Sequence, residues 1–168
     1  MRKSAEYWIK KLDLLTHIEG GAYKETYRAP LLFSKDQLPA SYSGARPAAT
    51  GIYFLLQKNQ FSALHKIASD EMWHFYDGDP IEIIEIKEDG TLYQHLLGPD
   101  LEQGQVFQLV IPANSWFGSR VLGEGAYALV GCTVAPGFDF ADFELAKRET
   151  LIAAFPLHKN IITELTRD

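Results

Sequence analysis

The sequence predicts a mainly β fold, an antiparallel sandwich or barrel with an N-terminal helix and C-terminal helices. From Thr50 onward, short runs rich in Ile, Val, Tyr and Phe alternate with turn signals. These signals recur about every 8–12 residues, which is typical of antiparallel sandwiches and barrels. An aromatic content of 12% suits a barrel with a large interior. At 168 residues, we expect one domain that spans residues 1–168.

Helical patterns are confined to the two ends of the chain. Ser4 is a candidate N-cap for a first helix that ends before the turn signal at residues 19–21. Residues 22–28 alternate as a strand does. Asp142 is a candidate cap for a helix that continues to Ala154, and a last short helix follows. The apolar face of the first helix is predicted to consist of Ala5, Trp8, Ile9, Leu12 and Leu15.

A long connection over residues 29–47 separates this first strand from the β-rich region. It contains three prolines and a glycine, so no long element is expected within it. Connections of this length in compact domains are usually functional or mobile. We therefore interpret residues 29–47 as a candidate lid over a site, with an ordinary surface loop as the alternative.

Composition and charge exclude several classes of protein. A net charge of −6 with no basic cluster argues against a nucleic-acid partner. The longest apolar runs, such as residues 52–56, are too short to span a bilayer, and no signal peptide is evident. Cys132 is the one cysteine, so no intrachain disulfide can form, and its apolar surroundings indicate an inert buried thiol. These features predict a cytoplasmic protein.

A histidine, a glutamate and a glycine mark the most informative segment. His65, Glu71 and Gly78 have the spacing of the first cupin motif, in which two histidines and a glutamate hold a metal ion. Ile67 stands where the second histidine would be. The resemblance therefore implies a barrel built around a ligand site, but one that lacks part of the usual chemistry.

The second cupin motif is also degenerate. Gly104 and Pro112 match it, and Asn114 takes a glycine position that requires a left-handed turn, a conformation that Asn tolerates. Phe117 replaces the histidine of this motif, and Val121 replaces its asparagine. Two imidazole ligands are thus missing.

The remaining donors favour a site without a bound cofactor. Catalytic metal sites usually supply three protein ligands, whereas His65 and Glu71 supply two. A divalent metal stays an alternative if residues 29–47 provide a third ligand. We interpret His65 as a general base and Glu71 as the carboxylate that orients it, both as candidate catalytic residues. The other interpretation is that His65 and Glu71 only satisfy each other's hydrogen bonds in a core that holds no ligand.

Strand alternation assigns further residues to a ligand pocket. Glu71 shares its face with the next two alternate residues, whereas His74 points the other way and is not an easy substitute ligand. Aromatic residues on this face and on neighbouring strands are candidates to stack on a flat or sugar-like ligand, although core packing explains them equally well. The predicted pocket residues are Trp73, Phe75, Phe117, Ser119, Tyr23 and Tyr27.

Three longer segments resemble the DUF985 branch of the cupin superfamily, the Cupin_5 group. They are HIEGGAYKETYRA, SALHKIASDEMWHFYDGDPIEI and ALVGCTVAPGFDFADFELAKR. The similarity extends over most of the chain and implies a cupin double-stranded β-helix, an RmlC-like jelly roll, and a homodimer. It implies no settled activity.

Three functions stay open at this point. The first is a metal-independent cupin that binds a small polar, sugar- or nucleotide-like molecule and performs isomerase- or epimerase-like acid–base chemistry. The second is a non-catalytic module that binds or senses a small molecule. The third is a divalent-metal-dependent cupin enzyme.

Overall fold

A computed structural model describes residues 2–123 and 126–167 and confirms the mainly β fold with helices at both ends. The helices are α1 (Ala5–Lys11), α2 (Arg148–Ala154) and α3 (Lys159–Glu164). The strands are β1 (Leu15–Thr16), β2 (Ala22–Arg28), β3 (Leu32–Phe33), β4 (Arg46–Pro47), β5 (Thr50–Gln57), β6 (Phe61–Lys66), β7 (Asp70–Gly78), β8 (Ile81–Ile86), β9 (Leu92–Leu97), β10 (Gln108–Ile111), β11 (Trp116–Val121), β12 (Tyr127–Ala135) and β13 (Glu144–Leu145). No helix among the described residues is long and apolar enough to cross a bilayer.

Two antiparallel sheets form the body of the fold. The larger sheet has the order β1-β2-β5-β12-β7-β10, and the smaller has the order β13-β6-β11-β8-β9. Neighbours in these sheets are often far apart in the chain, as in a jelly roll. Their inward faces share one apolar core, which includes Phe54, Trp73, Ile83, Phe117 and Val130.

The outer faces of both sheets are also covered in part by helices. Helices α2 and α3 place Leu151 and Ile162 against Ile84 and Ile86 of β8. This explains why every residue of β8 is buried, although antiparallel strands usually leave one face in water. Each fully buried isoleucine stabilises the fold by roughly 1.5–3 kcal/mol. Helix α1 covers the other sheet through Ala5 and its neighbours.

The N-terminal helix is shorter than the sequence predicts. The Ser4 hydroxyl accepts a hydrogen bond from the Tyr7 amide at 3.2 Å, which confirms the predicted cap. The helix ends at Lys11, because Asp13 has a φ of 52° and turns the chain. Leu15 consequently lies in β1, where it is exposed rather than part of the helix face.

Asp142 does not cap a helix, because α2 begins only at Arg148. The Asp142 carboxylate instead accepts a hydrogen bond of 2.6 Å from Nε of Arg46, and both side chains are almost fully buried. This ion pair fastens the segment after β12 to β4.

The 29–47 segment is held against the body of the protein. Strands β3 and β4 pair within it, and the buried Tyr42 donates its hydroxyl to the Ala68 carbonyl at 3.0 Å. None of its residues lines the cavity described below. The 29–47 segment therefore forms no part of the cavity wall.

Candidate functional site

An internal cavity of about 360 Å³ opens at one end of the barrel. Its walls combine strands of both sheets with the turn before β2 and the segment after β12. Most of the wall is apolar or aromatic, and a few ionisable groups converge on it, a combination typical of small-molecule sites. The lining residues are His17, Glu19, Tyr23, Glu25, Arg28, Thr50, Ile52, His65, Ile67, Glu71, Cys132, Val134, Phe138, Asp139, Phe140 and Phe143.

His65 is fixed in one ring orientation. Its Nδ1 lies 2.7 Å from the Ala63 carbonyl oxygen, which can only accept, so Nδ1 carries a proton. The ring packs between Phe117 and Phe143, at centroid distances of 4.1 and 5.2 Å. Burial lowers the pKa of His65, and the negative charge of Glu71 acts against that change.

The other nitrogen of His65 faces Glu19. Nε2 lies 3.1 Å from Glu19 Oε2, and both side chains are at least nine-tenths buried. Since Nδ1 carries the proton, a neutral His65 presents the lone pair of Nε2 to Glu19. If Glu19 were ionised at the same time, two hydrogen-bond acceptors would face each other. The contact is satisfied when one proton lies between the two groups. Burial raises the pKa of Glu19 to about 7, so this proton is available near neutral pH.

The turn that carries Glu19 has little conformational freedom. Gly20 and Gly21 have φ values of 121° and 71°, a region that favours glycine. A Cβ on Gly20 would collide with the Phe61 carbonyl. The Glu19 carbonyl accepts from the Ala63 amide at 2.8 Å and from Arg167 at 2.7 Å. These bonds position the Glu19 side chain on the cavity wall.

Glu71, on β7, is the second buried carboxyl of the cavity. Burial raises its pKa to about 7; the charge of His65 lowers it and that of Glu19 raises it further. The Cys132 thiol, which also lines the cavity, acts in the direction of a lower pKa for Glu71. Burial and this carboxyl raise the pKa of Cys132, so the thiol is a poor nucleophile.

His17 adds a third ionisable group next to Glu19. Its Nδ1 accepts the Glu19 amide at 3.3 Å and lies 3.7 Å from Glu19 Oε1. In the neutral ring, Nε2 therefore carries the proton. Burial lowers the pKa of His17, and the ring packs edge-on against Tyr23 at 4.5 Å.

An ion pair borders the cavity on the β2 side. Arg28 donates to both oxygens of Glu25, at 2.9 and 2.7 Å, and also to the Phe138 carbonyl at 3.3 Å. Both side chains are more than a third exposed, in contrast to the buried groups at the centre. Half-exposed Phe140 lies at the same end of the cavity.

The predicted catalytic pair lies in the cavity, but the contacts differ from those expected. His65 and Glu71 both line the wall, as does Tyr23. The group that pairs with Nε2 of His65 is Glu19, rather than Glu71. Ring orientation comes from Ala63 and Glu19, whereas Glu71 acts on His65 through its charge.

The remaining predicted pocket residues do not line the cavity. Trp73 and Phe117 are 1% exposed and belong to the core, and Ser119 is fully buried. Phe75 packs against the same core. Tyr27 is 54% exposed, because the register of β2 against β5 shifts between Glu25 and Tyr27 and brings Arg28 to the cavity instead.

Two functional candidates, His17 and Glu19, were missed by the sequence pattern. The Glu19-Gly20-Gly21 segment indicates a turn, and nothing in it shows that the glutamate is buried against a strand 46 positions later. The aromatic wall at residues 138–143 was also missed. The signal that could have revealed it is a stretch of six residues that contains three phenylalanines and is not predicted to be a strand.

The donors present do not fit the metal site of the typical cupin. His65 uses one nitrogen on Ala63 and the other faces Glu19. Ile67 and Phe117 place apolar groups at the positions of the other imidazoles. Within residues 2–123 and 126–167, no group of three or more His, Cys, Asp or Glu side chains is arranged to hold a metal ion.

Comparisons with known proteins agree with the architecture. Residues 6–146 match the family model Cupin_5, described as cupin superfamily (DUF985). The protein SO0799 of Shewanella oneidensis superposes with a TM-score of 0.89 at 38% identity, over 98% of each chain. A hypothetical protein from Leishmania major gives a TM-score of 0.91 at 33% identity, over 99% of this chain and all of the other.

A curated relative is found in yeast. The Saccharomyces cerevisiae protein YML079W is 28% identical over an alignment of 155 residues, and the alignment covers 87% of this chain and 77% of the yeast protein. Neither the family description nor these relatives' names state a ligand or a reaction.

Proposed function

This chain belongs to the Cupin_5 (DUF985) family of the cupin superfamily, and from that premise we propose that its barrel cavity binds a small polar ligand and performs acid–base chemistry on it without a metal. The observation that carries the proposal is the His65–Glu19 contact of 3.1 Å within a cavity of about 360 Å³. The ligand is expected to be of monosaccharide size.

The His65–Glu19 pair is suited to take up and return a proton. The pair holds one shared proton in its protonated form and none in its basic form. A pKa of about 7 for Glu19 makes both forms accessible near neutral pH, where a general base is most effective. Neither group needs to move far, because Ala63 and Arg167 hold the two ends of the pair.

The chemistry supported best is proton removal beside a carbonyl group. The C–H bond of the ligand breaks, its proton passes to the basic His65–Glu19 pair, and the electron pair delocalises onto the carbonyl oxygen. Return of the proton to the neighbouring carbonyl carbon, while the hydroxyl proton of the carbon that lost it passes to the former carbonyl oxygen, gives an isomer and restores the basic pair. An epimer forms instead when a water proton reaches the opposite face of the same carbon and the pair releases its proton to solvent. This cycle consumes no co-reactant, and it matches the isomerase- or epimerase-like reaction that the sequence predicts.

Hydrogen exchange tests this chemistry without knowledge of the natural substrate. A panel of aldoses and ketoses is incubated with the protein in D2O, and loss of the C–H signal beside the carbonyl is followed by NMR. We expect exchange with the native protein and a loss of about 10²-fold or more in His65→Ala. His65→Gln, which keeps ring-like volume better, serves as a second variant if His65→Ala does not fold.

Other outcomes distinguish the remaining hypotheses. Exchange that is equal in the native protein and in a folded His65 variant rejects the mechanism. A ligand that co-purifies and binds tightly, yet undergoes no exchange, supports the non-catalytic binding module. Exchange that appears only after loading with a divalent metal supports the metal-dependent enzyme.

A further inference from the structure

The charged groups on the cavity wall are mostly acidic. Four carboxyl groups line it, and Arg28 is the guanidinium that accompanies them. His17 and His65 complete the ionisable set apart from Tyr23 and Cys132. The four carboxyl groups are those of Glu19, Glu25, Glu71 and Asp139.

Two of these carboxyl groups face a charged or ionisable side chain, and a third is bound by a backbone amide. Glu25 binds Arg28 through both of its oxygens. Glu19 faces Nε2 of His65 at 3.1 Å. Asp139 accepts the Ala141 amide at 2.8 Å and lies at a half-buried position. Glu25 and Glu19 therefore have partners before any ligand arrives, and the positive charges of Arg28 and Arg46 act on Asp139.

Glu71 is the exception. It is 8% exposed and lines the cavity, where the thiol of Cys132 is at most a weak donor. Among the hydrogen bonds and ion pairs of the described residues, none joins Glu71 to a lysine or arginine. A carboxylate can accept about four hydrogen bonds, so most of its capacity is directed into the open cavity.

The imidazole nearest to both buried carboxyl groups cannot serve each of them. His65 gives one nitrogen to Ala63 and the other to Glu19, so it reaches Glu71 only through its charge. When Glu19 and Glu71 are both ionised, one buried negative charge has no hydrogen-bonded cation. Buried charges are costly unless they are paired.

We propose that the ligand carries a cationic group, an ammonium in the simplest case, and that Glu71 binds it. This inference rests on the proposed function and names the ligand class for the same cavity. An amino sugar or another small amino alcohol has this chemistry. An anionic ligand such as a nucleotide would meet the acidic wall with one guanidinium already bound to Glu25, so like charges disfavour it.

Binding of such a ligand is coupled to proton release. A cation beside Glu71 favours the ionised carboxylate and opposes the effect of burial. The other titratable groups facing Glu71 are Glu19, His65 and Cys132, from three separate elements. A neutral ligand would leave the protonation of Glu71 nearly unchanged, and an anion would increase it.

Three probes of matched size distinguish these classes: 2-aminoethanol, ethylene glycol and glycolate. Each is titrated into protein labelled with ¹³C at the glutamate carboxyl groups, and the carboxyl pKa values are read by NMR with and without probe. Fragments this small are expected to bind in the millimolar range. We expect saturable binding of 2-aminoethanol with a fall in the pKa of Glu71, and at least tenfold weaker binding of the other two.

Two variants locate the effect. Glu71→Gln is expected to lose the preference for 2-aminoethanol, with its folded state verified by an amide NMR spectrum. Glu144→Gln removes the same charge from an exposed surface position and is expected to keep the preference. If Glu71→Gln does not fold, the deciding measurement is whether 2-aminoethanol lowers the pKa of Glu71 in the native protein.

The alternatives have separate consequences. Equal or tighter binding of ethylene glycol or glycolate in the cavity overturns the cationic ligand class but leaves the ligand pocket intact. Binding of 2-aminoethanol that Glu71→Gln retains also overturns the assignment. Failure of all three probes to perturb the cavity contradicts both the ligand class and the proposed function.

Discussion

Nε2 of His65 lies 3.1 Å from Oε2 of Glu19, while Nδ1 of the same ring is committed to a backbone carbonyl. At this distance the protonated form of the pair holds one proton between the two groups. Since they come from different elements, a turn and a strand, their separation depends on the docking of that turn.

Replacement of Glu19 by glutamine should lower the pKa of His65. The variant removes a carboxylate that stabilises the imidazolium, and the amide can donate to Nε2 and hold the neutral ring. Loss of a neighbouring opposite charge typically changes a pKa by about 1–3 units. Imidazole NMR titration measures this. His95, which pairs with Glu85 at 2.9 Å elsewhere, is the internal control. A pKa of His65 that rises or stays constant would contradict the contact.

Replacement of Glu71 by glutamine should stabilise the protein increasingly as pH rises. The pKa of Glu71 is about 7 in the folded state against 4.5 for a glutamate in water, so folding favours its protonated form. That contribution is present below about pH 4.5 and is lost as pH rises through 7. The difference in unfolding free energy between variant and native protein should grow by roughly 2–3 kcal/mol across this range.

Urea unfolding at several pH values measures the effect, with Glu144→Gln as the surface control. If the difference in unfolding free energy between Glu71→Gln and the native protein did not change with pH, ionisation of Glu71 would not destabilise the folded state. The histidines act in the opposite direction, because burial lowers the pKa values of His17 and His65. Their contribution is present above the unfolded value near 6.5 and is lost as pH falls from there through their lower folded pKa values, so the variant comparison is needed to isolate Glu71.

Replacement of Arg46 by alanine should destabilise the protein strongly. The change leaves Asp142 as a buried charge without its guanidinium, and loss of one partner of a buried pair costs about 3–5 kcal/mol. The more exposed Arg120, which pairs with Glu82 and Glu164, provides a comparison in which the loss should be about 1 kcal/mol. Chemical denaturation gives both values. An equal, small loss for the two arginines would mean that Arg46 does not anchor the aromatic wall.

Installation of the two missing imidazoles should create a divalent-metal site. Ile67→His and Phe117→His together restore the ligand positions of the cupin motifs beside His65 and Glu71, which gives the three or more ligands that such sites require. We expect an affinity for Mn²⁺ or Ni²⁺ at least about tenfold above that of the native protein, measured by calorimetry. The single Ile67→His variant is the control. No gain in a folded double variant would show that Glu19 competes successfully for His65.

The fold was largely predictable because its signals are local. Turn residues and strand alternation from Thr50 onward indicate an antiparallel barrel, and the two degenerate motifs place His65 and Glu71 in its interior. Alternation gives the face of a strand but not the depth along it. Glu71 and Trp73 share a face, yet the first reaches the cavity and the second is sealed in the core.

The rest of the site depends on features that a local pattern does not contain. Because the register of β2 shifts between Glu25 and Tyr27, Arg28 lines the cavity and Tyr27 does not. Glu19 belongs to a segment whose glycines indicate only a turn, and its burial results from contacts with residues 63, 65 and 167. Such contacts are long-range in sequence, so the partner of His65 could not be identified before the structure.

The turn that bears Glu19 depends on Arg167, which donates to the carbonyls of Ile18 and Glu19 across 149 and 148 residues of chain. Contacts of such sequence separation close the largest loops, and the entropic cost of closing a loop grows with its length. The apolar core between the sheets uses neither end of the chain in this way. The residues that give the barrel its shape are therefore largely separate from those that hold Glu19 beside His65, so damage near the C-terminal end can remove chemical competence while the apolar core stays packed.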